Sequence, residues 1–205
     1  MHTEKSLKLT QDISNLIDNK TFHHHYHILF DIANTYEKNI KINYLEIGCY
    51  AGGSACLMLQ RPNTNVISID LGKPISKTIV ENNVKKLNKY NNNFNYIKGD
   101  SKDKKTLASF LNIIDNIDIL FIDGDHSYNG VIEDFKTYSQ FVNPKGYIIF
   151  DDYNDSKYSP KVKIAVDDIV KKIESEYEII GTLKNIYSAR PIEITDGNCF
   201  IIRKK

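Results

Sequence analysis

Hydrophobic residues recur with two alternating spacings from about residue 41 to the end of the chain. Short runs rich in Ile, Val, Phe and Tyr are typical of strands, and the longer segments between them have the three-to-four-residue spacing of amphipathic helices. The pattern predicts strands over Asn43–Ile47, Asn65–Asp70, Phe94–Lys98, Ile117–Ile122, Gly146–Phe150, Tyr177–Leu183 and Cys199–Arg203. It predicts helices over Ser6–Ile17, Tyr26–Glu37, Ser54–Gln60, Ile75–Lys89, Lys104–Ile114, Gly130–Phe141 and Val162–Glu176.

Several predicted strands, such as ILFID and YIIFD, are apolar throughout rather than at every second residue. Continuous apolar strands are typical of a parallel sheet that helices cover on both faces. The repeated alternation of strand and helix therefore predicts an α/β fold, a doubly wound, Rossmann-like sheet of seven mostly parallel strands preceded by N-terminal helices. No helix separates the last two strands, so we expect an antiparallel strand at one edge.

The chain has 205 residues, which suits a single domain. We expect residues 1–40 to form a helical cap and residues 41–205 to form the core. Hydrophobic residues make up 41% and charged residues 26%, a composition that excludes a largely disordered chain.

Charge and cysteine content narrow the class of protein further. Lys and Arg number 27 against 26 Asp and Glu, and no dense basic segment occurs, so a nucleic-acid partner is not expected. No apolar run approaches the roughly 18 residues of a membrane span, and the polar N-terminus does not resemble a signal peptide. Cys49, Cys56 and Cys199 form no C-x-x-C pair, which favours reduced thiols and a cytoplasmic location.

Acidic residues or glycines follow the predicted strands where each strand ends. These positions are Glu46 with Gly48, Asp70, Asp100, Asp123, and Asp151 with Asp152. In open parallel sheets, ligands bind beyond the carboxyl ends of the strands. Packing gives no reason for a carboxylate at so many strand ends, so we expect a binding site there.

The loop after the first strand reads LEIGCYAGGS over residues 45–54. Gly48, Gly52 and Gly53 allow a sharp turn and close approach of a ligand, and Ser54 is a candidate helix cap. The dinucleotide fingerprint G-x-G-x-x-G is absent, and the wider spacing suits a bulkier ligand with a carboxylate tail. A plain strand-to-helix turn is the alternative interpretation.

Two further strand ends fit a nucleoside. Asp70 closes the second strand, where an acid commonly accepts both ribose hydroxyls. Asp100, next to Ser101, closes the third and could meet an adenine amino group. A capping or turn role is the alternative for each aspartate.

Asp123, Asp151 and Asp152 end two strands that we expect to be neighbours. Three converging carboxylates raise one another's pKa, and a divalent cation such as Mg²⁺ or Mn²⁺ would relieve the repulsion. Solvated strand-end acids are the alternative.

His126 lies on the loop after Asp123, where a neutral imidazole could act as a general base. The alternative interpretation is that His126 is a loop histidine hydrogen-bonded to Asp125.

Taken in order, these segments resemble the class I S-adenosylmethionine-dependent methyltransferases from about Asn43 to the C-terminus. The strings FIDGDHSYNGV, FDDY and PKVKIAVD, at residues 121–131, 150–153 and 160–167, are similar to the branch that holds macrocin- and mycinamicin-type sugar O-methyltransferases and cephalosporin-hydroxylase-like proteins. Asp18-Asn19-Lys20-Thr21 and His24-His25-Tyr26 are similar to an entry segment of the sugar enzymes, with Asn19 in place of the usual Asp.

The resemblance implies a metal-assisted O-methyltransferase that acts on a hydroxyl of a small acceptor, a sugar or nucleotide sugar. The implied S-adenosylmethionine site is formed by residues at the first four strand ends, namely Glu46, Gly48, Gly52, Gly53, Ser54, Asp70, Asp100, Ser101 and Asp123. The implied metal ligands are Asp123, Asp151 and Asp152, with Mg²⁺ or Mn²⁺ as the metal, and the implied base is His126.

Several alternatives stay open from the sequence. A nicotinamide-dependent oxidoreductase or epimerase is disfavoured because the glycine fingerprint and a Tyr-x-x-x-Lys pair are missing. A non-catalytic cofactor-binding domain is disfavoured because it would not need Asp123, Asp151, Asp152 and His126. The histidines at positions 23, 24, 25 and 27 are either an adventitious metal tract or part of the site's mouth. Tyr153, Tyr158 and Tyr187 are candidates for an acceptor pocket, and both a monomer and a homo-oligomer fit the sequence.

Overall fold

The computed structural model describes residues 3–18, 24–182 and 199–205. Its strands are β1 (Ile42–Ile47), β2 (Thr64–Asp70), β3 (Phe94–Lys98), β4 (Ile117–Ile122), β5 (Val142–Phe150), β6 (Tyr177–Thr182) and β7 (Phe200–Lys204). Every predicted strand has a counterpart, although β5 begins at Val142 rather than at Gly146. Leu183, the expected end of the sixth strand, lies outside the described residues.

The strands form a seven-stranded sheet in the order β3-β2-β1-β4-β5-β7-β6. The first five are parallel, and the strand order reverses between β1 and β4, which places a crevice at their carboxyl ends. The mostly parallel, Rossmann-like sheet is therefore confirmed. The last two strands pair antiparallel at one edge, as expected, with β6 outermost and β7 between β5 and β6, antiparallel to both. The connection from β5 to β6, which contains a helix, leaves one strand position open beside β5. The last strand, β7, occupies that position.

Helices cover both faces of the sheet. They are α1 (Thr3–Leu16), α2 (His27–Ala33), α3 (Gly53–Met58), α4 (Lys77–Leu87), α5 (Lys104–Leu111), α6 (Tyr128–Tyr138) and α7 (Pro160–Ile173). Apolar residues of α1 to α4 pack in the core on one face, and those of α5 to α7 pack in the core on the other. None of these described helices combines the length and apolar composition needed to cross a lipid bilayer.

The N-terminal helices are tied to the core by buried polar contacts. The Ser6 hydroxyl of α1 donates to Asp31 Oδ1 of α2 at 2.5 Å. Farther along, the Asp18 amide donates to Asn83 Oδ1 of α4, and the Asn83 amide group donates to the Ala51 carbonyl in the glycine loop. A short 3-10 helix, His24–Tyr26, then leads into α2. This route brings the N-terminal segment to the carboxyl ends of β4 and β5.

Candidate active site

A cavity of about 540 Å³ lies at the carboxyl ends of β1 to β4. This volume is in the range of small-molecule sites. Five residues predicted from the sequence to bind the cofactor line it, namely Gly48, Asp70, Asp100, Ser101 and Asp123, together with the predicted base His126.

The backbone at Gly48 requires a glycine. Its φ is +82°, a conformation that L side chains rarely adopt, and a Cβ there would lie 2.0 Å from the carbonyl oxygen of Asp123. The glycine thus lets the loop after β1 pass against the loop after β4. This contact between two backbone segments is a reason for the glycine in addition to the expected close approach of a ligand.

Glu46 lies beneath the loop and does not line the cavity. It is fully buried, and its carboxylate accepts hydrogen bonds from Tyr44 Oη at 2.9 Å, Ser54 Oγ at 2.5 Å and Ser68 Oγ at 2.6 Å. Burial raises the pKa of Glu46 to about 7 against the effect of these donors. Because the Ser54 hydroxyl is committed to Glu46, the expectation that Ser54 caps α3 is wrong, and Gly52 occupies the cap position.

Asp70 holds the glycine loop and faces the cavity at the same time. Its Oδ2 accepts the backbone N–H groups of Cys49 at 2.9 Å and Tyr50 at 3.1 Å, and its Oδ1 accepts that of Gly72 at 2.6 Å. Tyr96 Oη also donates to Oδ1, at 3.5 Å, so all four lone-pair sites of the carboxylate face donors of the protein. The alternative of a local turn role is thus observed, and a ribose hydroxyl would have to replace the long Tyr96 contact.

Asp100 and Ser101 form the wall at the end of β3. The Asp100 carboxylate accepts the Lys102 amide at 3.0 Å. The Ser101 hydroxyl donates to Asp134 Oδ1 of α6 at 2.5 Å, and Tyr138 Oη donates to the Ser101 carbonyl. The side chain of Ser101 is therefore turned toward α6, which fixes the position of this wall.

The three predicted metal ligands follow neighbouring strands, but their carboxylates fall into two groups among the described residues: Asp123 and Asp152 lie with His126, and Asp151 lies with His25 and Cys199. Ile122 at the end of β4 pairs with Phe150 at the end of β5, and Asp123 and Asp151 follow them directly, which confirms the predicted adjacency. Burial and the charge of Asp151 raise the pKa of Asp123 to about 7. Oδ1 of Asp152 is buried and has no hydrogen-bond partner within the described part of the chain. An unpaired buried carboxylate oxygen in an acidic cluster fits a hard cation.

His126 lies between two of these carboxylates. Its Nε2 is 3.4 Å from Asp123 Oδ1, and its Nδ1 is 3.3 Å from Asp152 Oδ2. The hydrogen bond with Asp123 raises the pKa of His126 above its usual value, against the opposing effect of burial. Asp125 instead pairs with Lys102 at 2.8 Å, so the structure does not show the alternative His126–Asp125 contact.

Two residues of the N-terminal segment lie against these acids; the sequence left His25 between an adventitious metal tract and the mouth of the site, and it assigned no role to Tyr26. His25 Nε2 lies 2.6 Å from Asp151 Oδ1, and Tyr26 Oη donates to Asp123 Oδ2 at 2.9 Å. Cys199 Sγ donates to the same Asp151 oxygen at 3.3 Å. Burial opposes a charge on His25, but Asp151 outweighs it and raises the pKa. In the sequence, the resemblance of His24-His25-Tyr26 to an entry segment of the sugar enzymes was the feature that pointed to a place for these residues in the site.

The remaining candidates are placed away from this chemistry. Tyr153 is buried, stacks on Phe200 and donates to Asp167 at 2.6 Å, whereas Tyr158 is 75% exposed. His23 and Tyr187 lie outside the described residues. Cys49, Cys56 and Cys199 are buried and form no disulfide, as expected.

A doubly wound sheet with a cavity at the switch point and acids at its strand ends is the architecture of the class I S-adenosylmethionine-dependent methyltransferases. Residues 45–153 match the family described as "Methyltransferase domain". The chain therefore belongs to this family, and the prediction of an S-adenosylmethionine-dependent methyltransferase is confirmed. The nicotinamide alternative has no support from this match.

One protein is similar to this chain in sequence, and two solved structures are similar to it in fold. The chain is 40% identical over 199 residues to "Uncharacterized protein R132" of Acanthamoeba polyphaga mimivirus, covering 90% of this chain and 88% of R132. It is similar in fold to MycE, a methyltransferase "from the Mycinamycin Biosynthetic Pathway in Complex with Mg and SAH", with a TM-score of 0.64, 18% identity, and coverage of 97% of this chain and 54% of MycE. It is also similar to CalS11, a "TDP-rhamnose 3'-o-methyltransferase", with a TM-score of 0.58, 13% identity, and coverage of 98% and 93%.

Proposed function

We propose that this enzyme transfers the methyl group of S-adenosylmethionine to a hydroxyl of a small acceptor, a sugar or nucleotide sugar, with the assistance of Mg²⁺ or Mn²⁺. The observation that carries the metal is the buried Oδ1 of Asp152, which has no hydrogen-bond partner among the described residues and belongs to a carboxylate grouped with Asp123 and His126. The names of MycE, solved with Mg and SAH, and of CalS11, a TDP-rhamnose methyltransferase, support the metal and the sugar.

S-Adenosylmethionine would occupy the cavity beside the glycine loop. Asp70 faces it at the end of β2 and would accept the ribose hydroxyls, and Asp100 and Ser101 at the end of β3 would border the adenine. Glu46, Gly52, Gly53 and Ser54 would act indirectly, since they shape the loop from beneath.

Asp123, Asp151 and Asp152 would hold the cation. A divalent cation at this place supplies Lewis-acid polarisation of the acceptor hydroxyl. The base would be His126, whose Nε2 would take the hydroxyl proton. The acceptor oxygen would form a bond to the methyl carbon, and the carbon–sulfur bond would break to leave a neutral thioether. Proton removal by a positioned base typically contributes 10²–10⁴-fold to the rate.

We also propose that residues 1–205 act as one methyltransferase domain, with 1–40 as its cap. Contacts of His25 and Tyr26 with Asp151 and Asp123 support this organisation, since they place the cap in the site itself. The exposed ring of Tyr50 on the cavity rim offers a surface on which a sugar could stack.

A methyl-transfer screen tests the proposal. The enzyme is incubated with S-adenosylmethionine and a panel of nucleotide sugars, free sugars and phenols, with Mg²⁺ or with excess EDTA, and products are detected by mass. We expect a methylated sugar only in the Mg²⁺ arm. Full turnover in EDTA would contradict the role of the metal, and methylation of phenols alone would contradict the acceptor class.

A further inference from the structure

Ser159 lies immediately before α7, but its hydroxyl does not cap that helix. A serine at this position usually accepts a hydrogen bond from an N–H group in the first turn, and no such bond is made here. Ser159 is buried, and its Oγ lies 2.7 Å from Asp152 Oδ2 and 2.9 Å from His126 Nδ1. The hydroxyl is thus turned away from its local partner and toward two residues of the site.

The hydrogen-bond inventory fixes the direction of these contacts. Serine has a single O–H proton, and an ionised carboxylate can only accept. The Ser159 proton therefore points to Asp152, and the Ser159 oxygen is left to accept from His126. Nδ1 of His126 must then carry a hydrogen, which in the neutral imidazole leaves the lone pair on Nε2.

Nε2 faces Asp123 Oδ1 at 3.4 Å at the wall of the cavity, and it donates to that carboxylate when His126 carries a proton on both nitrogens. In the neutral form that a base requires, the hydrogen stays on Nδ1 and the Nε2 lone pair is available to the acceptor hydroxyl. The geometry points to Ser159 as a positioning residue that holds His126 in the Nδ1–H tautomer and presents the Nε2 lone pair to the acceptor hydroxyl. This inference rests on the proposed function of His126 as the base. It adds a residue that supports that base from a different element of the fold.

The competing explanation is that Ser159 only orients Asp152. In that case its loss would weaken metal binding and leave the histidine unaffected. The two roles differ in measurable ways, because one acts through His126 and the other through the cation.

The kinetic test compares Ser159→Ala with Ser159→Thr, which keeps the hydroxyl. We expect Ser159→Ala to lower kcat at saturating Mg²⁺ by about 10- to 100-fold, a part of the 10²–10⁴-fold that a positioned base contributes, with the Kd of S-adenosylmethionine unchanged. Ser159→Thr should recover most of the activity. Thermal unfolding of both variants is the control for stability, because Ser159→Ala also removes a hydrogen bond from the buried Asp152 carboxylate.

A double variant separates the two roles. If Ser159 acts through His126, adding Ser159→Ala to His126→Ala should cause no further loss of kcat. A multiplied loss of kcat in the double variant, at saturating Mg²⁺, would overturn the proposal.

The tautomer itself gives a readout independent of turnover. In protein labelled with ¹⁵N-histidine and loaded with Mg²⁺ and S-adenosylhomocysteine, His126 is assigned among the six histidines by comparison with His126→Ala. We expect a protonated Nδ1 and an unprotonated Nε2 in the wild type, and loss of this preference in Ser159→Ala. An Nε2–H tautomer in the wild type would overturn the inference, even if methyl transfer is found. Unimpaired turnover in His126→Ala would instead refute the proposed base.

Discussion

His25 Nε2 lies 2.6 Å from Asp151 Oδ1, so a residue ahead of the first strand orients a carboxylate at the end of the fifth. The next residue, Tyr26, makes the equivalent contact with Asp123. Two consecutive residues of one short helix thus bind two of the three proposed metal ligands. The N-terminal segment is therefore part of the site and not only a cover for the sheet.

Replacing His25 should weaken metal binding. We expect His25→Ala to lower the affinity for Mg²⁺ by about 10- to 100-fold, because Asp151 loses the hydrogen bond that orients it. His25→Gln is the matched control, since its amide can still donate, and it should retain more of the affinity. Isothermal titration of Mg²⁺ in the presence of S-adenosylhomocysteine measures both. Equal Mg²⁺ affinities in the wild type and both variants would show that the His25–Asp151 contact does not contribute to metal binding.

Gly48→Ala should destabilise the fold itself. The new Cβ would meet the Asp123 carbonyl at 2.0 Å, and the backbone is in the left-handed region. Gly72→Ala is a close control: its φ is also positive, at +71°, but its Cβ would meet the flexible side chain of Lys98. Thermal unfolding should show a small loss for Gly72→Ala, of about 1–2 kcal/mol, and a larger one for Gly48→Ala. Similar losses in both variants would contradict the backbone-contact argument.

Asp70→Asn should weaken cofactor binding. The variant loses the charged acceptor for the ribose and disturbs the N–H groups of Cys49 and Tyr50. A lost hydrogen bond to a charged group costs about 1.5–3 kcal/mol, which corresponds to a rise of about 10- to 150-fold in the Kd of S-adenosylmethionine. Asp115→Asn, ahead of β4 and away from the cavity, should bind normally. Normal binding by Asp70→Asn would remove Asp70 from the site.

Metal binding should depend on pH. The pKa of Asp123 is raised to about 7 by burial and by Asp151, so the carboxyl is protonated below that pH and competes with the metal. The apparent Mg²⁺ affinity should fall by up to about tenfold per unit as the pH drops below 7, and level off above it. Titrations at several pH values measure the slope. Asp123→Asn should bind more weakly and lose most of this dependence; a wild-type affinity constant from pH 5.5 to 8 would contradict the prediction.

The sequence predicted the sheet well because its strands are rich in Ile, Val, Phe and Tyr, because the ends of β4 and β5 are continuously apolar, and because acids or glycines stand at the ends of β1 to β5. Placement of Asp123 beside Asp151 followed from the parallel strand order alone. The position of β7 between β5 and β6 could not be predicted from the sequence. It depends on the connection through α7, which determines whether β6 lies next to β5 or one strand position away.

Within the site, the sequence identified residues at strand ends but not their orientation. Glu46 was expected at the ligand, yet its carboxylate is bound by three hydroxyls below the loop. Ser159 was missed as a functional residue, and His25 was left without an assigned contact, because their partners are 7 to 126 positions away in the chain. Such contacts depend on tertiary packing and cannot be predicted from the spacing of residues along the chain.

The central claim is that His126 removes the acceptor proton beside a metal held by Asp123, Asp151 and Asp152. Its most direct test is the single-turnover rate of methyl transfer, measured against pH in the wild type and in His126→Ala, both saturated with Mg²⁺, S-adenosylmethionine and the acceptor from the screen. The wild-type rate should fall as the pH drops through the pKa of His126, which the hydrogen bond with Asp123 raises and a bound cation would lower. His126→Ala should be slower by about 10²–10⁴-fold and lack that limb. A loss of less than about threefold, or a limb that survives the substitution, would contradict the claim.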